Sequence, residues 1–302
     1  MVTHISSQQQ LDNLINTNCN PNTIAWFLSH AQYESGLWLE TIPKEDALEF
    51  SNAEFSSAVC SRLHLYQNTI IPGTACSCKK KILIDRYGHH ISTGCNIDAT
   101  RHKLHNNLLH LLSRLCSYSG LYNIIEETDC FKGVDPDENK RPDMRVINFP
   151  GDDKSLVTDL IVASIFPGVS DLSAPAANTL TVTNAKKPLR SAKKAFQDKE
   201  RKYGTIAEQN NLRFLPLPIE SSGAMHPSTL QFVTTVAKHA SDFKKIPEKT
   251  ILNYMLRAIS ANVQKSIAKS IISRSLHINS RNSSAFLTDE YLLSFEDQGF
   301  SM

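Results

Sequence analysis

The sequence lacks most of the features that settle a protein's class at a glance. No stretch approaches the roughly 18 consecutive apolar residues of a membrane span, so a membrane is not among the expected partners. The opening, MVTHISSQQQLDN, has no basic stretch followed by an apolar one, and the expectation is a soluble, non-secreted chain. A P-loop, a dinucleotide-binding glycine fingerprint, a G-x-S-x-G elbow and a Tyr-x-Asp-Asp polymerase signature are all missing. Their absence argues against P-loop hydrolysis, Rossmann redox chemistry, a hydrolase triad and DNA synthesis by this chain alone. Net charge is scarce as well, formally +2, so any polyanion has to be met by local clusters of Lys and Arg. No internal repeat is found.

What is present is enough apolar material for a real core: 302 residues, 41% of them hydrophobic, a length that suits one large domain or two small ones. Seven cysteines is an odd number. Cys19, Cys60, Cys116 and Cys130 follow no regular framework and are expected to pack as small buried hydrophobes, which turns attention from disulfides to metal binding by the rest.

Residues 1–70 read mostly as helix. In TIAWFLSHAQYESGLWLETIP and SNAEFSSAVCSRLHL, apolar residues recur at three and four, as in Phe55, Val59 and Leu63, with Ser51 or Asn52 able to cap the second segment ahead of Glu54. From Cys76 to Arg101 the chain is polar, Gly-punctuated and rich in Cys and His. RHKLHNNLLHLLSRLCSYSG then puts Leu104, Leu108, Leu111, Leu112 and Leu115 on one helical face, with Gly120 as the stop. Three strand-like runs follow, LYNIIEE, DMRVINF and SLVTDLIVASIF, separated by turn-rich DPDENKRP and PGDDK. Residues 167–190 show no periodicity and read as a loop or insertion. SAKKAFQDKERKYGTIAEQ is a charged helix, LRFLPLPIES a fourth strand pushed to an edge by its prolines, and two further helices precede a polar tail after Asn279. The order from Arg101 to Glu220 is helix, three strands, helix, strand.

Two acidic residues sit in the β-branched runs, Asp143 and Asp159. If these runs pair through the PGDDK turn, both carboxylates reach one end and one face of the sheet, where they raise each other's pKa. A divalent cation removes that cost. Hard oxygen ligands favour Mg²⁺ or Mn²⁺, and such an ion turns water into a nucleophile and offsets charge on a phosphodiester under attack. A neighbouring lysine would assist. The alternative is a pair of surface aspartates.

Cys76, Cys78, His90 and Cys95 form C-x-C-x11-H-x4-C. Three thiolates and an imidazole close a tetrahedral shell around Zn²⁺ and leave no site for water, which is a structural rather than a catalytic arrangement. His89 or His102 can replace His90 in this reading. Lys79, Lys80, Lys81, Arg86, Arg101 and Lys103 surround the set, a charge distribution suited to phosphate. Lys186, Lys187, Arg190, Lys193 and Lys194 form a second basic segment, either a grip on a DNA backbone or a solvated linker.

RPD at 141–143, Asp159 in the next strand and KERKY at 199–203 resemble the PD-(D/E)XK nuclease core of the restriction-like endonuclease domain in site-specific non-LTR retrotransposons. SGLWLETIP, NAEFSSAVCSRL, YGHHISTGC and the pair Arg101–His102 resemble the linker and zinc knuckle that follow the reverse transcriptase in such elements. The resemblance covers most of residues 35–225. It implies an α/β fold, a PD-(D/E)XK nuclease-like mixed sheet flanked by helices, with a small zinc knuckle and helical N- and C-terminal extensions. The implied organisation is 1–70 helical linker, 71–103 CCHC knuckle, 104–223 endonuclease core and 224–302 C-terminal helical extension and tail. Asp143 and Asp159 would bind Mg²⁺ or Mn²⁺, with the third acid from Glu126 or Glu127 and Glu127 placed among the ligands; Lys199 or Lys202 would be the catalytic lysine. The sequence departs from the ordinary pattern at Ile161, where a strand lysine is usual. Implied partners are DNA, element RNA and a reverse transcriptase encoded upstream or in trans, with a nuclear location following from the DNA substrate. The rivals are a remnant that binds nucleic acid through the knuckle and basic segments without cutting it, and a helical interaction protein that needs neither metal.

Overall fold

Four strands form one mixed sheet in the order β1-β2-β3-β4, where β1 is Asn123–Ile125, β2 Met144–Val146, β3 Leu156–Ala163 and β4 Arg213–Glu220. The computed structural model describes residues 13, 17, 20–42, 48–71, 73–76, 78, 82–95, 100–125, 131, 141–151, 153–166 and 180–282. The first three strands run antiparallel and β4 lies parallel to β3. A two-strand return accounts for the β2–β3 pairing, whereas the parallel β3–β4 step needs a crossover, supplied by the helix between them. β3 is buried over its first five residues, as its β-branched composition suggests. Pro216 and Pro218 lie on β4, which borders the sheet: a proline offers no N–H, so its strand pairs fully on one side only.

The helices, in chain order, are α1 Pro21–His30, α2 Asn52–Arg62, α3 Thr100–Tyr118, α4 Val182–Ala185, α5 Arg190–Gln209, α6 Pro227–Lys244 and α7 Glu248–Asn282. The expected order of helix, three strands, helix and strand is observed, with the single turn α4 added inside the stretch read as a loop. α3 buries all five leucines of its predicted stripe and stops at Gly120, whose φ of 80° is open to glycine at no steric cost.

Two expectations for the N-terminal region are corrected. The segment read as one helix from Thr23 is α1 followed by a separate 3-10 helix, Tyr33–Glu40. Ser35 Oγ donates to the carbonyls of His30 and Gln32, at 2.7 Å each, taking acceptors that a continuing helix would use. In α2, the capping box of Ser51 and Glu54 forms, but the stripe of Phe55, Val59 and Leu63 is not the buried face. Ser57 and Ala58 are buried instead, while Phe55 and Leu63 stay exposed, because α2 lies against α7 through its small side chains and Ser57 is engaged by the buried Gln67. At the other end, α7 runs three residues past Asn279, where a frayed tail was expected.

The sheet separates two packing layers. Met144, Val146, Leu156, Leu160, Leu217 and Ile219 join α3, α6 and α7 in the principal core, together with Cys76, Cys78, Ile84, Ile91 and Cys95. On the opposite face, Val157 and Phe214 pack with Tyr203, Ile206 and Ala207 of α5. Alternation along β3 therefore sends Asp159 to the α5 side. No helix among the described residues is long and apolar enough to cross a membrane. The cysteines outside the C-x-C-x11-H-x4-C set divide: Cys116 is buried as expected, Cys60 is half-buried, and Cys19 and Cys130 lie outside the described residues.

Candidate functional site

The β2–β3 register ends with Met144 opposite Thr158, and the amide of Asp143, the residue before, donates to the Thr158 carbonyl at 3.0 Å, which sets Asp143 beside the part of β3 that holds Asp159. Asp143 stands one residue before β2, so β3 runs on past its partner strand, and the amide of Leu160 is met by Asp143 Oδ2 at 2.7 Å. His105, from the first half of α3, reaches the same oxygen through Nε2 at 3.0 Å. Both contacts fall on Oδ2, and neither uses the second oxygen.

Asp159 is almost wholly buried, and Lys199 Nζ on α5 meets its Oδ2 at 2.5 Å as an ion pair. Burial, and next to it the charge of Asp143, pushes the Asp159 carboxyl up to about 6, against the pull of Lys199 and His105. Burial opposes charge on His105, yet the hydrogen bond and charge of Asp143 outweigh it and hold that imidazole above its ordinary pKa. Two carboxylates thus share one strand end with an ammonium and an imidazole.

Of the two candidate lysines, only Lys199 is on Asp159. Lys202 donates to the hydroxyl of Tyr203 at 2.9 Å, which in turn donates to the carbonyl of Arg141 at 3.1 Å, just before the RPD aspartate. Glu126 and Glu127 lie outside the described residues. His105 was not anticipated from the sequence. It borders the leucine stripe of α3, next to Leu104, and a histidine there reads as solvated until the sheet is folded beneath it.

The second cluster is closed. A small hairpin, with Ala75 bridged to Leu83 and the amide of Cys76 donating to Ile82 at 2.8 Å, carries Cys76 and Cys78. The single π turn His90–Gly94 and the residue after it return His90 and Cys95. Gly88, at φ 74°, makes the turn between them. All four side chains are buried, and their ligand atoms lie within 4.8 Å of one another. Cys76 Sγ and Cys95 Sγ are 3.5 Å apart, as are Cys78 Sγ and His90 Nε2, close to the edge of about 3.5–3.8 Å that a zinc tetrahedron requires. Burial, helped by Cys95, pushes the Cys76 thiol up to about 12, so a cation is what makes thiolates tenable there. The set can hold a metal such as zinc, and among the described residues it is the one group of three or more His, Cys, Asp or Glu side chains that converges in this way.

His90 is the imidazole of that set. His89 is turned to Asp85, 3.4 Å away, and against the Phe166 ring, and His102 is exposed. Of the basic residues around the cluster, Arg86 lies over the ring of Tyr66 and Lys103 is exposed, while Lys79, Lys80, Lys81 and the Arg101 side chain lie outside the described residues. In the second basic segment Lys186, Lys187, Lys193 and Lys194 are exposed and Arg190 is half-buried. Beside it, the N-terminal amides of Ser191 and Ala192 donate to the buried Glu220, which also takes the hydroxyl of Ser29 on α1. That carboxylate ties α1, β4 and the start of α5 together.

No protein-family model matches the chain. Over 177 residues, 57% of the chain, it is 28% identical to the Retrotransposable element SLACS 132 kDa protein of Trypanosoma brucei gambiense. The match spans 14% of that protein's length, so the similarity concerns a small part of a much larger polypeptide.

Proposed function

We propose that this chain is a retroelement-type endonuclease module that nicks DNA at the strand end bearing Asp143 and Asp159. The observation that carries the reading is the approach of those two acids where β2 meets β3, Asp143 on the Leu160 N–H next to Asp159 and Lys199 of the following helix on Asp159. The order of helix, three strands, helix and strand supports a PD-(D/E)XK-like core, and similarity to a retrotransposon protein supports the setting. The donor set fits magnesium or manganese in kind: two hard carboxylates, one of them, Asp143, with an oxygen outside its hydrogen bonds. Bound there, the ion supplies the Lewis acidity that makes water nucleophilic at neutral pH and offsets charge on the scissile phosphate.

The residues themselves do the rest. Asp143 is oriented by Leu160 N–H and His105, and Asp159 is held ionised against its burial by Lys199. The Lys199 side chain is about a third exposed, and its ammonium would stand beside a phosphate laid along the strand end. The exposed lysines at 186–194 would hold the backbone of the DNA without reading its sequence. Such a nick would supply a primer end, which assigns a reverse transcriptase, upstream or in trans, as partner and the nucleus as place of action.

The test is conversion of supercoiled plasmid to open circle in the presence of magnesium. Nicking that disappears in both Asp143→Ala and Asp159→Ala supports the reading; equal nicking by the variants refutes it. One observation favours a second reading. The carboxylates already have protein partners, Asp143 in Leu160 and His105 and Asp159 in Lys199, as in a remnant that binds nucleic acid without cutting. Salt-sensitive DNA binding with no magnesium-dependent nicking would select it.

A further inference from the structure

Arg274 is the largest fully buried side chain among the described residues, 2% exposed, although it lies only two turns from the end of α7. A guanidinium keeps its charge at every physiological pH, and enclosing it is costly unless something negative is enclosed with it. Its Nη1 donates to Sγ of Cys95 at 2.8 Å. Cys95 belongs to the converging Cys₃His set, and α7 packs directly on the π turn that carries His90.

Charge counting gives the contact a meaning. Three thiolates around a dication leave a net charge of −1, and one guanidinium brings the buried assembly to neutrality. Partners of this kind fix the direction of a ligand's lone pairs, and their removal typically costs 10- to 100-fold in metal affinity. We infer that Arg274 is a positioning residue for the Cys76–Cys78–His90–Cys95 metal site, acting through Cys95, so that metal loading and the docking of the end of α7 are one coupled event. The inference rests on zinc as the occupant of that set and is independent of the nuclease reading. By reciprocity, whatever the docked helix contributes to metal affinity, the metal returns to helix docking.

The experiment uses the full chain. Zinc affinity is measured by chelator competition for the native chain, Arg274→Met and Arg274→Lys, with far-ultraviolet circular dichroism as the check on folding. Arg274→Met should bind zinc about 10- to 100-fold more weakly, and Arg274→Lys, which keeps the charge, should recover part of the loss. A folded Arg274→Met with native affinity overturns the inference. Should that variant not fold, hydrogen exchange on the native chain decides: removing zinc should strip protection from amides around 271–278 while those around 251–259 keep theirs. Unchanged protection at the first group overturns the coupling. A native chain that takes up no zinc by elemental analysis refutes the metal reading itself, a result separate from zinc uptake that ignores Arg274.

Discussion

The two clusters use similar ingredients to opposite ends. The four side chains of the Cys₃His set are buried, their ligand atoms converge, and a neighbouring cation is itself buried against one sulfur. The carboxylate pair stands at a strand end, with Asp143, His105 and Lys199 each partly open to solvent. A closed shell has no position left for a substrate, so its contribution is to stability; the carboxylate pair joins a buried acid to partly solvated neighbours, and pays in stability for the charge it concentrates.

That contrast can be broken most directly by mutation. Asp143→Ala and Asp159→Ala should each lower magnesium-dependent nicking by about 10²- to 10⁴-fold with the fold retained, measured as plasmid conversion beside circular dichroism. Lys199→Ala should follow with about a 10²-fold loss. Cys76→Ser should do the reverse of the aspartate variants: a drop on the order of several kcal/mol in unfolding free energy, with any loss of nicking tracking the loss of folded protein. An equally stable Cys76→Ser would erase the distinction between the clusters.

A subtler difference lies in pH. The folded pKa of Asp159, about 6, stands above the ordinary carboxylate value of 3.8. The raised value means that the stabilising contribution is fully present below about pH 4, where the group is protonated in both states, and is lost as pH rises through about 6. In zinc-loaded, magnesium-free protein, Asp159→Asn should therefore be more stable than the native chain at pH 7, on the order of 2 kcal/mol, and the gap should close by pH 4. Urea midpoints at the two pH values check it, and a gap that widens on acidification contradicts the burial account. The smallest effect is expected at Lys202, whose ammonium is on Tyr203: Lys202→Ala should change nicking by no more than a few-fold. A loss equal to that of Lys199→Ala would move the catalytic lysine.

Periodicity made much of this legible. The leucine stripe of α3 and the β-branched run of β3 each admit one arrangement that buries apolar surface, and the prolines of β4 suit it to an edge alone. Short elements behaved differently. The break between α1 and the 3-10 helix depends on where one serine hydroxyl points, and the buried face of α2 depends on which small side chains α7 can approach, neither of which repeats along the chain. At the carboxylates, residue types and strand pairing were readable; the assignment of Lys199 over Lys202 was not, because both lie on one helix and differ only by the rotation at which α5 meets the sheet.

The sequence by itself determined the alternation of helix and strand, the two aspartates in adjacent β runs and the spacing of three cysteines and a histidine, since local hydrophobic period and ligand spacing are written along one dimension. Tertiary structure alone decided that His105 reaches Asp143, that Lys199 rather than Lys202 neutralises Asp159, and that Arg274, 179 residues after Cys95, closes the sulfur cluster. Contacts over such separations depend on how helices are rotated and stacked on the sheet, and that is settled by the packing of the whole core rather than by any stretch of it.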